Sequence, residues 1–229
     1  GSMMSSSRTT CRGSSKAGPP KSTGSSDTLN ASAFGGLTTL DGLGGNDLLA
    51  GGANIDYMLG GDANDLLQGN AGNDTLEGGP GSDTRQGGAN NDSLQGGADD
   101  DQLFGEAGNN TLKGDAGADL LVGQDGNDSL QGNADNDTLT GGRGQNTLNG
   151  GDGDLDRLLE TQSLPAATGP YSVTLTASSL TVTGPLTATS SVAEIELAQL
   201  AGGDLADTLD AATFPGQVTL QGLAGNDEL

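Results

Sequence analysis

Between Gly42 and Asn149 one apolar residue returns at every ninth position: Leu49, Met58, Leu67, Leu76, then Leu94, Leu103, Leu112, Leu121, Leu130, Leu139 and Leu148, with Arg85 in the one remaining place. Its neighbours on either side are largely polar, as in Thr75-Leu76-Glu77 and Ser93-Leu94-Gln95. Such a triplet fits the two-residue alternation of a strand better than the roughly 3.6-residue period of a helix. The pattern predicts three-residue strands whose middle side chain points inward while its neighbours face out.

The six residues between triplets are turns, and they too are periodic. The segment divides into twelve consecutive nonapeptides without an insertion or deletion, and each begins with Gly, from Gly42 and Gly51 through to Gly132 and Gly141. The sixth position is acidic in ten units: Asp47, Asp56, Asp65, Asp74, Asp83, Asp92, Asp101, Asp119, Asp128 and Asp137, with Asn110 and Asn146 in the other two. Turn, strand, turn, strand makes one coil from two units, and six stacked coils would extend about 29 Å. The fold class expected is all-β, a right-handed parallel β-roll or β-solenoid with about 18 residues per coil.

These units, for example GNAGNDTLE at 69–77, resemble the GGxGxDxUx nonapeptide of the RTX (repeat-in-toxin) family. The resemblance implies a calcium-binding parallel β-roll. The stacking argument leads to the same ion. Position six of one unit comes beside position six of the next unit but one, so two carboxylates converge on each gap between coils, together with turn carbonyls. Such an oxygen-only cage suits Ca²⁺, which takes six to eight oxygen ligands at about 2.3–2.6 Å.

Unit parity sorts the acids onto two edges. One carries Asp47, Asp65, Asp83, Asp101, Asp119 and Asp137; the other has Asp56, Asp74, Asp92 and Asp128 interrupted by Asn110 and Asn146. The first edge keeps both carboxylates in all five of its gaps and the second in two, so the first is expected to fill earlier and more tightly, with roughly seven to ten ions in all. Where the fourth position is not Gly it is Asn54, Asn90, Asp99 or Asp135, residues that tolerate a left-handed backbone, and Ala63 is the poor fit. One inward apolar residue per unit makes a thin core against the entropy of ordering the chain, so the roll is expected to be disordered without Ca²⁺ and to fold on binding it.

Composition narrows the partners. The net charge is −23, and all 31 acids lie from Asp27 onward, whereas Arg8, Arg12, Lys16 and Lys21, half of the eight basic residues, precede it. That body repels nucleic acid and anionic membrane, and it attracts cations. With one cysteine, Cys11, and no histidine, hard oxygen-seeking cations remain as the metals to consider. No apolar run reaches the length of a membrane span, and no apolar N-terminal stretch marks a secretory signal peptide. Residues 1–26 are read as a tag scar and a disordered basic Ser/Gly-rich arm, in which Cys11 is an incidental thiol or a cross-linking point.

The roll at 42–149 is preceded by an N-terminal lead-in coil at 27–41. After residue 149 the nonapeptide frame fails, and 150–201 is expected to continue the solenoid in larger, calcium-poor coils packed by Val173, Leu175, Leu180, Val182, Ile195 and Leu197. Residues 207–229 match 27–49 at 14 of 23 positions, so 202–229 reads as the start of a next roll. Either the chain is one period of a tandem array, with head-to-tail self-association favoured by uncapped strand edges, or the two segments are the transitions flanking a single roll.

No catalytic constellation is present, and no enzyme activity is expected. A polysaccharide-degrading solenoid commonly needs basic side chains beside its acids, whereas the roll offers Arg85, Lys113 and Arg143 alone. Ice binding would require ranks of outward Thr, but the third position is mostly Ala. The leading reading is a calcium-binding structural module of a secreted or cell-surface tandem-repeat protein, folding on extracellular Ca²⁺ after type I secretion. The alternative is the folding and secretion module of a larger type I-secreted enzyme or toxin. Arg85, on an inward position between Leu67 and Leu103, is expected to pack its stem there while its head reaches water or an acid, or else that coil loosens.

Overall fold

The computed structural model describes residues 12–13, 24–153, 155–161, 172–176, 179–183, 188–193, 197–201 and 208–221. Among them every regular element is a strand, and no helix is long and apolar enough to cross a membrane. Successive nonapeptides alternate between two sheets. One runs through Asp56–Leu59, Thr75–Pro80, Ser93–Ala98, Thr111–Ala116, Ser129–Ala134 and Thr147–Asp152; the other runs through Leu48–Ala50, Leu66–Ala71, Thr84–Ala89, Gln102–Ala107, Leu120–Asp125 and Thr138–Arg143. Neighbours within each sheet are parallel and offset by two nonapeptides, as in Leu112↔Leu130 and Leu103↔Leu121. The chain is a β-solenoid with about 18 residues per coil.

Strands are longer than the expected triplet. In the regular coils they span six residues, because the chain stays extended through positions one to three of the next unit. The inside of the roll is consequently lined by three positions per unit: the Asp at six, the Leu at eight and the Gly at one. Leu49, Met58, Leu67, Leu76, Leu103, Leu112, Leu121, Leu130 and Leu139 are fully buried, and Leu29, Leu40 and Leu158 extend the same two columns beyond the nonapeptides. The flanking positions seven and nine are exposed or half-buried.

Two residues in most units adopt left-handed backbone. At position four these include Asn90, Asp99, Asp135 and also Ala63, at φ 81°, while Asn54 is not among them. The second site is position two, where Leu43, Asn70, Glu106, Asp115, Gln124 and Asn133 stand beside several glycines. Pairing skips position one at this bend, as between Phe104↔Val122 and Glu106↔Gln124, so each strand turns there without breaking the ladder.

The lead-in residues belong to the solenoid: Thr28–Asn30 pairs with Leu48–Ala50, and Thr38–Asp41 with Asp56–Leu59. Arg12–Gly13 lies antiparallel on Thr38–Thr39, and residues 1–11 and 14–23, Cys11 included, are outside the described residues. Beyond residue 152 the second sheet continues in parallel through Arg157–Thr161, Leu197–Ala201 and Gln217–Gln221. The first sheet instead runs through an antiparallel meander, in which Ala188–Ala193 joins Thr147–Asp152, Ser179–Thr183 and Ser172–Thr176 follow, and Thr208–Thr213 pairs in parallel with the last. Ile195 and the side chains of Val173, Leu175, Leu180, Val182 and Leu197 lie outside the described residues.

Left-handed backbone is costly for a residue with a Cβ and free for glycine. Ala63→Gly is therefore expected to stabilise the folded roll by about 1 kcal/mol, read as a raised thermal midpoint in calcium-containing buffer.

Candidate metal centre

Each position-six side chain is buried because the strand that follows it aims the Leu inward, and residues two apart on a strand share a face. Asp47, Asp56, Asp65, Asp74, Asp83, Asp92, Asp101, Asp119, Asp128 and Asp137 are all between 1% and 4% exposed, and Asn110 and Asn146 occupy the same setting. The ten acids found by periodicity thus lie in two columns along the roll, one on each edge.

Within a column the residues are linked by side chain to backbone. The Asp47 amide donates to Asp65 Oδ1 at 2.7 Å, Asp65 to Asp83 at 2.6 Å, Asp83 to Asp101 at 2.8 Å, Asp101 to Asp119 at 2.8 Å and Asp119 to Asp137 at 2.9 Å. On the second edge the same bond joins Asp56 to Asp74, Asp74 to Asp92, Asp92 to Asn110, Asn110 to Asp128 and Asp128 to Asn146. An amide oxygen accepts this bond as well as a carboxylate does, which is why Asn fits at two rungs.

The second carboxylate oxygen is treated differently. Oδ2 of Asp47, Asp65, Asp74, Asp92, Asp101, Asp119, Asp128 and Asp137 is buried without a hydrogen-bond partner. Such an atom is expensive to bury unless a cation or a proton satisfies it. Burial accordingly pushes Asp65, Asp92, Asp119 and Asp137 up to about 7, and Asp74, Asp101 and Asp128 up to about 6; the amide hydrogen bonds oppose this without overcoming it.

Glycine at position one follows from this packing. A Cβ on Gly87 would stand 2.5 Å from Asp92 Oδ2 and 2.8 Å from the Gly105 carbonyl oxygen of the next coil, and most of the other position-one glycines meet equivalent atoms. The invariant residue leaves room for the carboxylate. Position four makes a further cradle: a Cβ on Gly153 would lie 2.5 Å from the Asp135 carbonyl oxygen and 2.6 Å from Asp156 Oδ1, while one on Gly72 would meet the Asn54 carbonyl and Asp74 Oδ1. Carbonyl oxygens of one coil and carboxylate oxygens of the next therefore face common space.

No group of three or more acidic side chains forms among the described residues. A cation held here would draw on no more than two of these carboxylates and complete its shell from the backbone, and that all-oxygen donor set fits a hard ion such as Ca²⁺.

Two elements of the site escape the nonapeptide frame. Asp156 is fully buried and accepts the Asp137 amide at 2.8 Å, but it comes 19 residues later, one beyond the strict period, within GDGDLD at 151–156. An outer ladder also runs along position five. Asn64 Oδ1 accepts the Ser82 amide, Asn73 the Asn91 amide, Asn91 the Asn109 amide and Asn127 the Gln145 amide, all between 2.7 and 3.1 Å. The run of Asn at that position was the available signal. Of the two outcomes expected for its head group, Arg85 reaches acid and not water: it is fully buried and bonded to Asp83.

A two-sheet solenoid with an oxygen-lined edge on either side is a β-roll suited to holding cations. Residues 23–58, 32–65, 51–84, 86–121 and 122–154 match the RTX calcium-binding nonapeptide repeat, together more than half of the chain, and the protein belongs to that family. It is a calcium-binding repeat module. A search of curated proteins found no match.

Gly87→Ala is expected to lower the stability of the calcium-loaded roll by about 1–3 kcal/mol, measured by thermal or denaturant unfolding. Acid should act in the opposite direction on the metal-free chain. Carboxyls whose folded pKa is raised from 3.8 to about 6–7 support folding fully below about 4 and lose that support as pH rises through 6–7. In chelator, β structure by circular dichroism should therefore increase between pH 7.5 and pH 5, with sedimentation confirming that the chain stays in solution.

Proposed function

We propose that the chain is a calcium-folded structural module of a secreted or cell-surface tandem-repeat protein. The observation that carries this reading is the pair of columns of buried carboxylates, eight of the ten lacking a partner for one oxygen. Two like-charged columns in a narrow interior oppose folding in a low-calcium compartment, and divalent ions reverse the sign of that term. The ligands are Asp47, Asp65, Asp83, Asp101, Asp119 and Asp137 on one edge and Asp56, Asp74, Asp92 and Asp128 on the other, with turn carbonyls, for roughly seven to ten ions.

Members of this family are typically exported by type I systems, and folding delayed until the chain meets external calcium suits such a route. The match of 27–49 with 207–229 at 14 of 23 positions supports a tandem context, with head-to-tail association through the ends of the solenoid.

The test is circular dichroism of the full chain in chelator, followed by calcium titration, with magnesium in parallel. The β signal is expected to develop with Ca²⁺ and not with equal Mg²⁺, which prefers a smaller octahedral shell. An unchanged spectrum on chelation, or an equal response to magnesium, would refute the proposal.

A further inference from the structure

We infer that Arg85 is a tethered cation that takes the place of a calcium ion at one rung of the roll, the gap between Asp83 and Asp101. This rests on the reading that position-six carboxylates hold calcium. Arg85 sits on an eighth position, where ten of the other eleven units carry Leu, and it is fully buried. Its Nη2 donates to Asp83 Oδ2 at 2.8 Å and to the Gly96 carbonyl at 2.8 Å, and Nη1 lies 3.5 Å from Asp101 Oδ1. The head group therefore joins two consecutive carboxylates of the all-acid edge.

The contrast with neighbouring rungs is the second part of the argument. Oδ2 is left without a hydrogen-bond partner at Asp47 and Asp65 before this rung and at Asp119 and Asp137 after it; within it the guanidinium takes Oδ2 of Asp83 and approaches Asp101 through Oδ1, leaving Asp101 Oδ2 unbonded. Space for the head group comes from Gly78: a Cβ there would collide with Arg85 Nη2. The residue that makes room for a carboxylate elsewhere in the roll here makes room for a carboxylate and its cation together.

Occupancy by arginine and by metal is exclusive. A divalent ion between Asp83 and Asp101 would stand a few ångströms from a guanidinium that cannot lose its proton, in a medium where like charges repel strongly. Asp83 and Asp101 match the other sites by sequence period, yet their rung is closed from within the chain and takes no calcium.

Native mass spectrometry of the full chain in saturating calcium counts the ions directly. Arg85→Leu is expected to bind one ion more than the wild type and Arg85→Lys the same number as the wild type. In a calcium titration by circular dichroism, Arg85→Leu should fold at a higher calcium concentration, because its Asp83–Asp101 rung has lost its internal cation. Equal ion counts for wild type and Arg85→Leu, or an Arg85→Leu chain that stays unfolded in saturating calcium, overturn the inference while leaving the calcium reading intact. Failure of both chains to bind calcium defeats that reading, and the inference with it.

Discussion

The roll depends on a buried carboxylate, which ten of the twelve nonapeptides place at position six. Its Oδ1 accepts from an amide of the coil before, its Oδ2 has no hydrogen-bond partner at eight of the ten, and the residue it packs over is glycine. These three conditions are one constraint. Removing the glycine displaces the carboxylate, displacing the carboxylate breaks the hydrogen bond between coils, and the stacked carboxylates place a column of like charges in a low dielectric.

Apolar packing has a secondary role. Each half-coil contributes one inward side chain, leucine in ten of the twelve nonapeptides, and the columns of Leu40, Met58, Leu76 and Leu94 on one sheet and Leu49, Leu67, Leu103 and Leu121 on the other fill a space only one side chain deep. Register is set instead by polar ladders. The position-six side chain accepts from the coil before it and the position-five side chain accepts from the coil after it, so each turn is tied in both directions along the stack. A slip of one residue would sacrifice both ladders at once.

The two irregular rungs follow the same rule by different means. At Asp156 the chain takes one residue more than the period allows, yet the acid still reaches the Asp137 amide, so the ladder tolerates an added turn residue where it does not tolerate loss of the acceptor. At Arg85 the interior carries a positive charge because two carboxylates and a backbone carbonyl surround it. An arginine in any apolar core of similar thickness would be too costly to bury; here the surrounding acids make it a partner.

The nonapeptide arithmetic alone determined the coil length, the inward leucines, the two edges and the ten acids on them, because a repeat without insertions maps sequence period onto spatial stacking. It could not assign the extended reach of the strands into positions one to three, since glycine carries no periodic hydrophobic signal and its conformation depends on what lies across the coil. The purpose of the first glycine was equally hidden, for it is explained by the Asp later in its own unit and by a carbonyl of the following coil. Asp156 escaped because a one-residue insertion breaks a strict frame without breaking the ladder. The head group of Arg85 had two possible destinations by sequence, water or acid. Tertiary structure decided between them, because only stacking brings Asp83, Gly96 and Asp101 around one guanidinium.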